Sequence, residues 1–232
     1  MKIMKPGHTA IVFFAHSSEE ELKHKKIHNG SLLFHSLTQK TLMTIKKSGL
    51  PYFHFTEHEQ RGNSFGERFT NAVQSVFNLG YERVITIGND TPHLTTKHLV
   101  TAASNITDMK SVFGASTDGG FYLMGFHKTQ FQTDFFKNLP WQTTQLQRQV
   151  YSWASKENIE ILKLKVLRDI DVEKDVFTIG SLYSTNTSII NALFVELLQI
   201  QKKVITIYIS LKTNNSSPEI YFNKGSPSFQ FS

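Results

Sequence analysis

Two acidic residues occupy places where a carboxylate could do chemistry. Asp90 lies in V-I-T-I-G-N-D-T-P-H-L, residues 84–94, and Asp118 in S-V-F-G-A-S-T-D-G-G-F-Y-L-M-G-F, residues 111–126. In each case a β-branched or aromatic run ends in a Gly-containing turn that carries the acid. Val84, Ile85 and Ile87 read as a buried strand stopped by Gly88-Asn89-Asp90-Thr91-Pro92, which puts Asp90 at the carboxyl end of a strand. Open α/β sheets bind their ligands there. Val112 and Phe113 read as a second strand, punctuated by Asp118-Gly119-Gly120, and adjacent glycines let a backbone come close to a ligand. Either motif alone reads better as an ordinary turn, because Asp and Gly are common turn formers. Together in one α/β unit they point to a site for a metal or a hydroxyl-rich ligand.

The elements around these turns follow from the apolar pattern. Thr9 to Ala15 reads as a first buried strand, Leu32 to Lys47 as a helix stopped by Gly49, and Tyr52 to Phe55 as a second strand. Phe65, Phe69, Ala72, Val73, Val76 and Phe77 form one helical stripe closed by Gly80. Further helices are expected over about 96–106, 130–139 and 144–157, and a strand over 159–164. Between the first strand and Gly30 the chain reads as a charged, solvated loop, Ser17-Ser18-Glu19-Glu20-Glu21-Leu22-Lys23-His24-Lys25-Lys26, with no glycine to cradle phosphates. His54, Glu57 and His58 lack the spacing of a zinc motif. Trp141 is either a packed wedge or an aromatic platform for a ring. Asp171 reads as the cap of a helix reaching Phe177.

Composition bounds the function. With 39% hydrophobic and 19% charged residues, 232 residues suffice for one large α/β domain, expected over 1–180, and an extension over 181–232. That extension reads as a helix, a β-prone run at 204–209 and a polar tail. The net charge of +6 fits an anionic small ligand, and no Lys/Arg stripe with interleaved aromatics marks a nucleic-acid interface. Absence of cysteine excludes a thiolate site or a Cys nucleophile. No apolar run approaches a membrane span, so a cytoplasmic protein is the expectation. A homo-oligomer is compatible with the β-prone run.

Taken in order, Gln60-x-Gly62…Gly66-Glu67-Arg68, Ile87-Gly88-Asn89-Asp90-Thr91-Pro92-x-Leu94, Asp118-Gly119-Gly120-Phe121-Tyr122-Leu123-x-Gly125, Pro140-Trp141-x-Thr143 and Asp169-Ile170-Asp171 resemble one family. It is that of the bacterial nucleotide-diphospho-sugar transferase-like proteins, some of them assigned as glycosyltransferases of arsenosugar biosynthesis. The resemblance covers about residues 60–177. It implies a GT-A fold, a mostly parallel mixed sheet flanked by helices. It also implies a metal-dependent glycosyltransferase-like activity on a nucleotide-sugar donor and a small-molecule acceptor. On that resemblance Asp90 and Asp171 hold Mg²⁺ or Mn²⁺ on the diphosphate, Asp169 returning to the metal in the same motif as Asp171, and Asp118 positions or deprotonates the acceptor hydroxyl. Gly119 and Gly120 then face the sugar, Gln60, Gly62 and Gly66 the base or ribose, and Arg68 a phosphate; Trp141 lines the same site. The front departs from the pattern: relatives carry a Gly-x-x-Lys-Thr-Arg-Leu-type phosphate segment, for which Lys25 and Lys26 are the nearest substitutes. The departure keeps two alternatives open, a nucleotidyltransferase of the same fold and a non-catalytic nucleotide- or partner-binding protein.

Overall fold

The computed structural model describes residues 9–25, 27, 30–172 and 175. The strands are β1 (Thr9–Phe14), β2 (Tyr52–Phe55), β3 (Arg83–Ile87), β4 (Lys110–Ala115), β5 (Phe121–His127) and β6 (Glu160–Lys163). They form one sheet in the order β2-β1-β3-β5-β4-β6. The pairs β1–β2, β1–β3 and β4–β6 are parallel, whereas β5 runs antiparallel to both β3 and β4. Because β5 is reversed, β4 points the same way as β3. The chain therefore leaves β1, β3, β4 and β6 at one common edge, and Asp90, Asp118 and Asp169–Asp171 all follow a strand at that edge.

Apolar side chains on both faces explain the unbroken hydrophobic strands. In β1, Ala10 and Val12 join Phe69, Val73, Phe136 and Trp153 in one core, while Ile11 and Phe13 join Ile45, Ile85 and Leu99 in another. The helices are α1 (Ser18–His24), α2 (Ser31–Ser48), α3 (Phe65–Asn78), α4 (Thr96–Asn105), α5 (Thr133–Lys137) and α6 (Leu146–Lys156). Gly49 and Gly80 have positive φ, 71° and 93°, at the two helix stops expected of them.

Two segments differ from expectation. The charged stretch after β1 is a helix. Ser17 caps α1 by accepting from Glu20 N–H at 3.3 Å, and Glu19, Glu20 and Glu21 fill the first turn, where acids favour the helix dipole. The helix expected over 130–139 is confined to Thr133–Lys137. Buried Gln130 is held outside it, accepting from Ser111 Oγ at 2.9 Å and donating to Thr107 O and Asp108 O at 3.2 and 3.1 Å. The C-terminal extension, its boundary near residue 180 and the helix end at Phe177 lie outside the described residues.

The α1 cap is locked from the turn after β2. The Ser17 hydroxyl donates to Glu57 Oε1 at 2.7 Å, and Ser17 N–H donates to Glu57 Oε2 at 2.8 Å. Burial alone would raise the Glu57 carboxyl, but the two Ser17 donors outweigh it and hold Glu57 at about 2. A carboxyl lowered in the folded state stabilises above its free value of 4.5 and loses that contribution as pH falls toward about 2. Replacing Glu57 by Gln is therefore expected to lower stability at neutral pH and to flatten the acid-unfolding curve between those limits. Circular dichroism of both proteins across that range checks it.

Candidate functional site

The common edge of the sheet opens into a cleft of about 670 Å³, within the usual range of small-ligand sites. Its wall includes Lys25, Gln60, Arg68, Asp90, Asp118, Gly120, Trp141, Asp169 and Asp171, so most residues expected at the site are brought together. Gly62, Gly66 and Gly119 do not line the cleft, and Lys26 lies outside the described residues.

Asp90 is positioned by β3 and by its neighbours. Asn89 is buried and donates from Nδ2 to Thr38 Oγ1 of α2 at 3.0 Å. The Asp90 carbonyl accepts from Ile170 N–H at 2.9 Å, tying the turn to the segment after β6. In that segment the three residues of Asp169-Ile170-Asp171 have different partners. Asp169 Oδ1 accepts from Thr91 Oγ1 at 2.5 Å, the Ile170 side chain is fully buried, and Asp171 Oδ1 faces Lys25. Burial, then the nearby Asp90 charge, pushes the Asp169 carboxyl well above the usual carboxylate range, against the hydroxyls of Thr91 and Ser116. Burial also raises Asp171, partly offset by Lys25.

Lys25, just past α1, is the centre of this cluster. Its Nζ lies 2.8 Å from Asp90 Oδ2 and 3.0 Å from Asp171 Oδ1, donates to Ile170 O at 2.8 Å, and is 4.0 Å from Glu21 Oε2. Burial alone would lower the Lys25 pKa, but these carboxylates raise it above the ordinary lysine value. The ammonium is thus firmly charged although its side chain is only 13% exposed.

Asp118 sits in a tight turn at the end of β4. Its Oδ1 accepts from Ser116 Oγ at 2.6 Å and from Gly120 N–H at 2.9 Å. Gly119 has φ of 100°, and a Cβ there would lie 2.8 Å from Thr144 Cα, so only glycine lets the 141–144 loop rest on the turn. Gln147 braces the turn by donating to Ser116 O and Gly120 O at 3.0 and 2.7 Å. Trp141 donates from Nε1 to Phe136 O at 2.7 Å and packs against Phe65 and Phe69 while still lining the cleft. It is a packed wedge and a cleft wall at once. Gln60 is buried and donates from Nε2 to Phe55 O at 3.0 Å, while its Oε1 has no partner.

Glu21, Ser116 and Gln147 were not singled out from the sequence, and Asp169 only as part of the last acidic motif. Glu21 has no local signal, because the Ser-x-x-Glu start of α1 runs from the Ser17 cap to Glu20. For Asp169 the available signal was the alternation of an extended Asp-Ile-Asp, which separates the partners of its two acids. The Asp90 and Asp171 oxygens converge on a single cation position, as hard oxygen ligands for Mg²⁺ or Mn²⁺ must, and here that cation is an ammonium. Among the described residues there is no group of three or more His, Asp or Glu arranged around a metal position. No described helix is long and apolar enough to cross a membrane.

Residues 33–143 match the family described as an uncharacterized protein conserved in bacteria, DUF2064. That match takes in the Gln60, Asp90, Asp118 and Trp141 motifs and stops short of Asp169–Asp171. No curated protein matches the chain. Among solved structures, a proposed nucleotide-diphospho-sugar transferase from Desulfovibrio desulfuricans G20 is similar with a TM-score of 0.69 and 22% identity, over 87% of this chain and 98% of that one. A nucleotidyl transferase from Methanothermobacter is similar at a TM-score of 0.49 and 12% identity, over 78% of this chain and all of that one. A cytidylyltransferase from Leptospira borgpetersenii gives 0.43 and 17%, over 87% and 96%. The first of these carries the comparison: the chain has the α/β fold of a nucleotide-diphospho-sugar transferase-like protein, as the motif order implied.

Proposed function

We propose that this protein is a cytoplasmic, glycosyltransferase-like enzyme that takes a nucleotide-activated sugar as donor and a small hydroxyl-bearing molecule as acceptor. The observation that carries the reading is one cleft at the strand ends, lined by Asp90, Asp118, Asp169 and Asp171 together with Gln60 and Trp141, in which Lys25 pairs with Asp90 and Asp171. Gln60 and Trp141 line the part of the cleft assigned to the base. Lys25 and Arg68 are the cations within reach of a diphosphate. A Mg²⁺ or Mn²⁺ ion held by Asp90 and Asp171 would neutralise the leaving diphosphate. Asp118 keeps one oxygen committed to its own turn, which fixes the carboxylate where it can orient an acceptor hydroxyl or take its proton.

A second reading, nucleotidyl transfer from a nucleoside triphosphate, is favoured by one feature. The segment after β1 delivers a lysine into the cleft, as a phosphate-binding front would.

Thermal midpoints against a panel of nucleoside di- and triphosphates and nucleotide sugars, each with and without Mg²⁺ or Mn²⁺, test both. A ligand at a hundredfold excess over its Kd stabilises by about 2.7 kcal/mol, which in a chain of this size is roughly 5–10 °C. A metal-dependent shift with a diphosphate or its sugar supports the transferase. A shift with triphosphates alone supports nucleotidyl transfer. No shift with any of them sinks both and leaves a non-catalytic binding role.

A further inference from the structure

The two carboxylates assigned above to a divalent ion already share a cation. Lys25 Nζ lies within 3.0 Å of Asp90 Oδ2 and Asp171 Oδ1, and a third contact to Ile170 O fixes it in place. A second cation reaching the same two oxygens would stand against that ammonium at close range, where partial burial weakens screening. The ammonium in turn has little reason to leave. With a side chain 13% exposed and three oxygens around it, it moves favourably only toward another anion.

Charge around the cleft sets the complementary condition. Its wall carries the carboxyl groups of Glu21, Asp90, Asp118, Asp169 and Asp171 against the cations Lys25 and Arg68. A bare diphosphate entering that field is repelled, and a bare divalent ion meets the ammonium.

We propose that Lys25 is a displaceable internal cation. It holds the position between Asp90 and Asp171 and yields it to a divalent ion only when an incoming diphosphate receives its ammonium, so that ion and nucleotide bind as a pair. The inference rests on the donor-binding reading above, and it makes Lys25 the residue that couples the two ligands.

Mn²⁺ binding to the full chain, read from loss of the free-ion EPR signal, tests it. With Mn²⁺ alone, Lys25→Met is expected to bind one ion at least tenfold more tightly than the wild type. Asp90→Asn added to that variant should remove the gain. Wild type should reach comparable affinity only when a nucleoside diphosphate (UDP, GDP, CDP, ADP or dTDP) is present. Equal Mn²⁺ affinity of wild type and Lys25→Met overturns the proposal, as does a gain that survives Asp90→Asn. Should Lys25→Met not fold, Lys25→Gln carries the same expectation, and wild type alone remains decisive. Tight Mn²⁺ binding without nucleotide, abolished by Asp90→Asn, overturns the proposal. The comparison with Mn²⁺ alone involves no nucleotide. A gained ion site in the variant with no diphosphate bound by either protein therefore supports Lys25 as occupant and overturns the donor-binding reading.

Discussion

Gly66→Ala is expected to lower the thermal midpoint by roughly 6–12 °C, corresponding to about 3 kcal/mol. Gly66 is the second residue of α3, where its backbone meets the end of α5. A Cβ there would collide with the backbone carbonyl of Lys137 and come within 3.0 Å of Trp141 Cδ1. Neither the helix nor the carbonyl can yield cheaply, since both are backbone. Gly80→Ala is the control. Its φ is 93°, but nothing lies within 4 Å of the added Cβ, so only the left-handed strain of about 1–2 kcal/mol applies. If scanning calorimetry finds Gly66→Ala no worse than Gly80→Ala, the close approach of α3 and α5 is wrong. Gly66 thus acts on the cleft at second hand, by seating Trp141 in its wall.

Asp90→Asn is expected to weaken metal-dependent nucleotide binding by at least a hundredfold while leaving the fold in place. The amide keeps the size of the carboxyl, and the Asp90 backbone keeps its bond from Ile170 N–H. Lys25 retains Asp171 and Ile170 O, so the unliganded midpoint should fall by no more than a few degrees. Lost from the site is one of the two hard anionic oxygens that converge on the cation. Titration calorimetry with the nucleotide that shifts the wild type is the measurement, and affinity retained within tenfold would remove Asp90 from the ligand set.

The sheet and the principal helices were legible because their signals are local. The unbroken apolar run of β1 and the stripe from Phe65 to Phe77 each specify their own element. The acidic turns were legible for the same reason, as strand ends punctuated by glycine. α1 was not, because it has no apolar stripe; its evidence is a Ser cap and three glutamates, which also describe a solvated loop. Lys25 was visible as a phosphate-binding candidate, but its pairing with Asp90 and Asp171 arises from the return of the chain after β6 and has no local trace. Gly66 shows the converse. The family resemblance gave it a place at the base or ribose, whereas the neighbour that requires glycine there is the α5 carbonyl of Lys137.

The bonds of Lys25 also bear on the order in which the chain becomes secure. They reach Asp90 across 65 positions and Ile170 across 145. Leu22, Ile27, Leu33, Phe34, Leu37 and Ile170 form a small cluster of their own, apart from the two cores of the sheet. The front helix and the last described segment therefore shield each other, and opening either exposes both to solvent exchange. The contacts that hold α1 are spread along the chain, Glu57 lying 40 positions after Ser17 and Ile170 lying 145 after Lys25. The helix that begins the cleft meets the partner of its cap soon after it in the chain, and the last of its partners only beyond β6.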